Sequence, residues 1–227
     1  MLEIKDKTEH DPAADMDLVD AIMRWALLAS EEVVGEKGLR IVLRDAGLER
    51  FIGNYPSENL TESNNVSFGD YAALNASLLS FFGRAGKSMV LRAGRESQKC
   101  GREQYGAMFK VVGALTTTAV KVLPFTTQLN MVLQVQQKIL RDLHQSAKQG
   151  PSLRIEDRGE KLAYIDETCA VCAGKQSNQP MCWLFTGVLQ EGARWLTGKE
   201  VEIVQVECRA MGAPACVWEV SKTPKGK

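Results

Sequence analysis

Five of the six cysteines in this 227-residue chain fall between positions 169 and 216, and that clustering limits what the last third can fold into. Thiols grouped this way point to metal ligation or redox chemistry rather than to scattered core packing. Disulfide frameworks belong mostly to short secreted chains. The first ten residues here are charged and lack an apolar core of signal-peptide length, so a cytoplasmic location with reduced thiols is expected. The longest weakly polar stretch, residues 111–123, is too short and too rich in Thr and Lys to span a bilayer. No membrane insertion is expected.

Around these cysteines the residue pattern alternates between strand and helix. Residues 152–156 and 162–167 read as two short strands joined at Asp157-Arg158-Gly159-Glu160, a tight-turn pattern. Leu184, Val188, Leu189, Ala193 and Leu196 then recur at helical spacing, with Gly187 and Gly192 where close packing is expected and Gly198 as the stop. Residues 200–206 alternate as a strand, and residues 216–220 make a last strand after the turn Met211-Gly212-Ala213-Pro214. Cys182 therefore stands at a helix start, Cys208 at the end of one strand and Cys216 at the start of the next, 26 and 8 residues apart.

Thiols so placed can converge on one point, which is what a tetrahedral zinc site requires. Candidates for the fourth ligand are Glu207, Gln205, Cys172 and Cys169. A carboxylate ligates zinc well and a carboxamide poorly, which counts against Gln205. Glu207 adjoins Cys208 and points to the opposite face of a regular strand, so it needs a bulge to take part. Cys169-Ala170-Val171-Cys172 lacks a second pair at ribbon spacing. The competing reading makes the thiols reduced, small buried hydrophobes.

Upstream the chain reads as helical. Residues 16–34 carry Leu18, Ile22, Trp25, Ala26, Leu28, Ala29 and Val33 at three- and four-residue steps, and Gly35 and Gly38 break the pattern before a short helix over 39–46. A helix over 68–82 follows with Ser67 as its cap, then one over 88–100, then a helical stretch over 108–148 interrupted by Pro124. The divisions expected are a flexible arm over 1–15, a helical half over 16–150 that contributes a ligand pocket and a dimer contact, a strand-strand-helix-strand-strand module over 151–222 and a tail over 223–227. The fold class is α+β with an antiparallel sheet.

The run Pro180-Met-Cys-Trp-Leu-Phe-Thr-Gly-Val-Leu-Gln-Glu-Gly192, with the ending Cys208, Gly212 and Cys216, resembles the 4-vinyl-reductase domain family. That family of hydrocarbon-binding proteins includes sensor domains of aromatic-responsive regulators and a bacteriochlorophyll-biosynthesis protein. The resemblance covers about forty residues, near a fifth of the chain. It implies helices packed on one face of a twisted antiparallel sheet, as in the Golgi-transport TRAPP subunits, commonly as a homodimer. It also implies a structural zinc held by three cysteines, which match Cys182, Cys208 and Cys216. A family glutamate falls where this chain has Gln205.

Catalytic machinery is not legible. No GxGxxG follows a strand, and of two histidines His10 lies in the arm while His144 sits near a helix end, where it reads as capping the helix or facing solvent. Arg92 and Arg95 read as a solvated helix face rather than an anion site. With 28 Lys and Arg against 28 Asp and Glu, no nucleic-acid partner is expected. Trp25, Phe82, Tyr105, Phe109, Phe125 and Trp183 are the candidate lining of an apolar pocket. The chain therefore reads as a sensor or carrier for a small hydrophobic or aromatic ligand rather than an enzyme. Two alternatives stand beside this: an enzyme or accessory factor of vinyl-tetrapyrrole chemistry, and a TRAPP-like scaffold without a small ligand.

Overall fold

Ser67 opens the best-defined helix of the fold, accepting a hydrogen bond from the Asp70 amide at 3.2 Å while the Asp70 carboxylate accepts from the Ser67 amide at 2.9 Å. In the computed structural model, which describes residues 2–104, 122–144 and 152–226, this helix is α2, Phe68–Phe82. Before it runs α1, Asp20–Asp45, whose two arms meet at Gly35; there φ is 73° and ψ 161°, a left-handed conformation that glycine adopts without a Cβ clash. The break expected at Gly35 is thus a kink, not an end. α3 covers Gly86–Gln104. α4, Phe125–Leu143, begins after Pro124, which sits in an extended conformation and donates no backbone hydrogen bond. The earlier part of the helical stretch expected over 108–148 lies outside the described residues, apart from residues 122–144. α5, Trp183–Thr197, ends at Gly198 with φ 69°.

Four antiparallel strands form the main sheet in the order β2 (Leu153–Asp157), β3 (Lys161–Asp166), β6 (Cys216–Pro224), β5 (Val201–Glu207). The pairs Tyr164 with Trp218 and Asp166 with Cys216 lie in register on the face that receives α5. The Trp218 indole donates to Thr186 Oγ1 at 2.9 Å, and the rings of Tyr164, Phe185 and Trp218 meet edge-on or tilted, pinning α5 to the sheet. Helices and antiparallel sheet together are the α+β class expected from the pattern.

A close helix crossing sets the depth of the interior. A Cβ at Gly94 of α3 would lie 1.9 Å from the Leu184 carbonyl oxygen of α5, and one at Gly187 would lie 2.2 Å from that of Leu91. Only glycine lets the two backbones approach this closely. Arg95 locks the crossing, donating to Gln190 Oε1 and to both carboxylate oxygens of Glu200, so it is structural rather than an anion receptor. Arg92 is exposed.

The segment expected as a flexible arm is tied down. β1, Ile4–Asp6, pairs antiparallel with β4, Lys175–Ser177. Buried Asp11 accepts from Lys7 Nζ at 2.8 Å, Arg209 Nη2 at 2.9 Å and the Gly174 amide at 3.1 Å. Burial pushes its carboxyl up, but these donors outweigh burial and hold it well below the usual carboxylate range. A three-residue strand is too short to show alternation in sequence, and the partners of Asp11 are up to 198 residues away.

Candidate functional site

The thiol centre forms where the open end of the sheet meets the start of α5. Cys182 caps the N-terminus of α5, and its amide donates to Gln205 Oε1 at 3.0 Å. Cys216 opens β6. Cys169 and Cys172 flank a 3₁₀ turn, Ala170–Cys172, and Cys169 has φ 21° and ψ 94°, an unusual conformation for a residue other than glycine. The ligand atoms of Cys169, Cys172, Cys182 and Cys216 all lie within 4.8 Å of one another, and all four residues are buried. Measured pairs are Cys169 to Cys182 at 3.7 Å, Cys172 to Cys216 at 3.5 Å and Cys182 to Cys216 at 3.8 Å. Four thiolates around a tetrahedral zinc with bonds of about 2.3 Å would stand about 3.8 Å apart. These buried cysteines are thus already spaced to hold a metal ion.

Cys208 is a fifth neighbour, 3.8 Å from Cys182. A register irregularity between Gln205 and Glu207 puts it there: Glu207 pairs with Val217 and is exposed, while Cys208 turns inward. The bulge that Glu207 needed is present and delivers its neighbour instead. Gln205 serves as the acceptor that orients Cys182. The pair Cys169 and Cys172, weak in sequence, completes the four-thiol set. Burial raises the Cys169, Cys182 and Cys216 thiols, whereas donation from the surrounding thiols, Cys169 foremost, lowers Cys172.

Beside the centre lies an apolar cavity of about 90 Å³. Its walls come from α1 (Ile22, Trp25), α2 (Phe68, Tyr71), α3 (Ser97, Gln98, Gly101), α4 (Gln136, Ile139, Leu140), α5 (Phe185, Val188) and the turn residues Ala170 and Val171. Gly101 makes room for the Trp25 ring, which a Cβ there would meet at 3.0 Å. Of the aromatic residues singled out in the sequence, Trp25 lines this cavity. Phe82, Phe125 and Trp183 are partly buried against the core away from it, Trp183 under Lys87 and Phe125 near Lys199. Tyr105 and Phe109 lie outside the described residues.

His144 is the polar residue that sequence reading misplaced. It does cap α4, with Nδ1 2.7 Å from the Leu140 carbonyl oxygen, but it is only 3% exposed and lines the cavity. A carbonyl only accepts, so Nδ1 carries the proton and Nε2 presents a lone pair. Nε2 is buried and has no hydrogen-bond partner. Burial lowers the imidazole below its ordinary value of 6.5, outweighing the Leu140 bond. Asp166 faces the same cavity; burial raises its carboxyl to about 6, although its Oδ1 accepts from the Thr168 amide at 2.9 Å and the Cys169 amide at 2.8 Å. No lysine or arginine lines the cavity among the described residues.

His144 gives a pH prediction whose sign follows from linkage. Its folded value lies below its unfolded one, so between them the unfolded chain binds more protons and stability rises with pH. Stability should therefore fall as pH drops below about 6.5, and His144→Phe should remove that part of the slope. Urea titrations of both proteins at pH 7.5 and 5.5 measure it; equal slopes contradict the neutral, buried imidazole.

No helix among the described residues is long and apolar enough to cross a membrane. None of the curated proteins matches the chain in sequence. Its fold is similar to that of an oxygen-binding H-NOX domain related to soluble guanylate cyclases, with 14% identity, TM-score 0.57 and coverage of 91% of this chain and 96% of that one. It is likewise similar to an unliganded Fe(II) H-NOX protein from K. algicida, with 12% identity, TM-score 0.57 and coverage of 92% and 98%. An H-NOX protein from S. oneidensis in the Fe(II)NO state aligns at 12% identity and TM-score 0.51, covering 89% and 99%. Identities this low establish a shared fold. Residues 164–222, which hold Cys169, Cys172, Cys182, Cys208 and Cys216, match the model of the 4-vinyl-reductase domain family. On an H-NOX-like α+β fold, the chain carries a domain of the 4-vinyl-reductase family.

Proposed function

We propose that this protein is a sensor or carrier that binds a small, neutral, largely apolar molecule in the cavity, and that four cysteines beside it hold a structural zinc. The observation that carries the ligand reading is His144 Nε2, a buried acceptor without a partner on the wall of an apolar cavity. A buried polar atom left unpaired is costly, so a ligand that donates an O–H or N–H there recovers free energy that a purely apolar one does not. The absence of lining cations among the described residues, and the presence of Asp166, disfavour an anion.

The similar solved structures concern heme and oxygen. A porphyrin does not fit here: an apolar cavity of about 150 Å³ suffices only for benzene, this one is about 90 Å³, and no cation lines it among the described residues to meet a carboxylate. The same size argument counts against a vinyl tetrapyrrole. A ligand of one ring or less, with modest side-chain adjustment, suits the space.

Zinc is favoured because buried thiolates need a cation and the thiol spacing matches a tetrahedral ion. Cys169, Cys172, Cys182 and Cys216 would be the ligands, a closed set that leaves no open position for catalysis.

Thermal shift with three probes tests the ligand reading. Benzyl alcohol should raise the melting temperature, whereas benzyl methyl ether and benzoate should do so at least tenfold less effectively on a concentration scale, roughly the value of one buried hydrogen bond. His144→Phe should lose the preference for the alcohol. No response to any small neutral aromatic donor would overturn the reading.

A further inference from the structure

The cavity and the thiol centre share a wall. Ala170 and Val171 line the cavity, and Cys169 and Cys172 on either side of them belong to the four-thiol set. Cys182 stands three residues before Phe185, another lining residue. Cys216 is the register partner of Asp166, which faces the cavity as well. Each of the four thiols is therefore within three residues along the chain, or one rung across the sheet, of a cavity wall.

Hydrogen bonds make the wall a mechanical unit. The Asp166 carboxylate accepts from the Thr168 amide at 2.9 Å and the Cys169 amide at 2.8 Å, fixing the start of the turn where Cys169 takes its unusual φ. On the far side Asn75 Nδ2 of α2 donates to the Met181 carbonyl at 3.0 Å and reaches the Val171 carbonyl at 3.4 Å, tying the turn to the segment that carries Cys182. Tyr71, one turn earlier on the same helix, lines the cavity. A ligand touching Ala170, Val171 or Asp166 thus bears on groups that set the thiol positions.

We propose that ligand binding in the cavity and metal binding at the thiol centre are coupled through residues 166–171, each strengthening the other. The proposal rests on both readings given above. A metal fixes the turn in the shape that closes the cavity, and an occupied cavity holds the turn in the shape that groups the thiols. Thermodynamics makes the two effects equal: the factor by which a ligand tightens zinc is the factor by which zinc tightens the ligand.

The test measures zinc affinity of the full chain by equilibrium competition with a chelator, with and without saturating benzyl alcohol. In parallel, benzyl alcohol is titrated onto zinc-loaded and zinc-stripped protein. Both ratios should be about fivefold or more and equal to each other. Binding of the alcohol with both ratios at unity overturns the coupling while leaving the ligand reading intact. If no probe binds the zinc-loaded protein, the ligand reading fails, and coupling is then read from Ser97→Leu, which fills the cavity from α3, an element that supplies none of the four thiols. A threefold or greater change in zinc affinity supports the coupled wall, and unchanged affinity overturns it. Circular dichroism confirms the variant's fold; should it unfold, Ile22→Phe on α1 replaces it. Failure of zinc to bind at all removes the metal reading and the coupling together.

Discussion

Gly94→Ala is expected to destabilise the fold by about 3 kcal/mol or more, at the upper end of what overpacking costs. The new methyl would sit 1.9 Å from the Leu184 carbonyl oxygen and 2.9 Å from its carbon, both backbone atoms that cannot rotate away. α3 and α5 must separate to admit it. The two helices supply Ser97, Gln98, Phe185 and Val188 to the cavity, so the separation also spoils the ligand site. Gly192→Ala on α5 is the matched control, because nothing lies nearer than 3.8 Å to a Cβ there. It should be neutral or stabilise by up to about 1 kcal/mol through helix propensity. Urea unfolding of the two variants measures the contrast, and equal stabilities contradict the tight crossing.

The second large effect is at the thiols. Cys182→Ser should lower zinc content from about one ion per chain to well below it, because a hydroxyl replaces one of four thiolates in a closed set. Structural zinc sites bind with an apparent free energy of about 10 kcal/mol or more, most of it expressed as folding stability, so the melting temperature should fall steeply as well. Cys208→Ser, outside the four-thiol set, should keep its zinc. Elemental analysis of protein purified without added metal decides between them. Loss of zinc from Cys208→Ser with retention in Cys169→Ser would move the site to the other thiols. Metal-free protein of full stability would remove it.

Several of these features were legible in sequence because they are local. Alternation in residues 200–206, the helical spacing from Leu184 to Leu196 and the cap at Ser67 all appear as expected. The three cysteines at element ends were readable for the same reason. What escaped depends on partners far along the chain or on departures from regular geometry. The bulge after Gln205 reverses which of Glu207 and Cys208 faces inward, and alternation alone cannot report a one-residue slip. Cys169 and Cys172 reach the centre through a turn with positive φ at a cysteine, which no residue preference signals. Asp11 is buried by Arg209 and Gly174, contacts across nearly the whole chain.

His144 is the instructive miss, since a signal was available. It continues the stripe formed by Leu129, Val132, Leu133, Gln136, Ile139, Leu140 and Leu143, four residues beyond Leu140, so helical spacing places it on the buried face. Its polarity suggested solvent, but the Leu140 carbonyl satisfies one nitrogen and leaves the other facing a cavity rather than water.

That second nitrogen offers the direct test of the ligand site. The chain has two histidines, and His10 is exposed and paired with Asp15, so ¹⁵N spectra of labelled imidazole side chains assign His144 with little ambiguity. At pH 7.5, zinc-loaded protein should show His144 with a protonated Nδ1 and a bare Nε2, and addition of benzyl alcohol should shift the Nε2 resonance as it accepts a hydrogen bond, while the methyl ether leaves it in place. A His144 Nε2 that is protonated in the free protein, or that ignores a bound alcohol, would contradict the proposed ligand site.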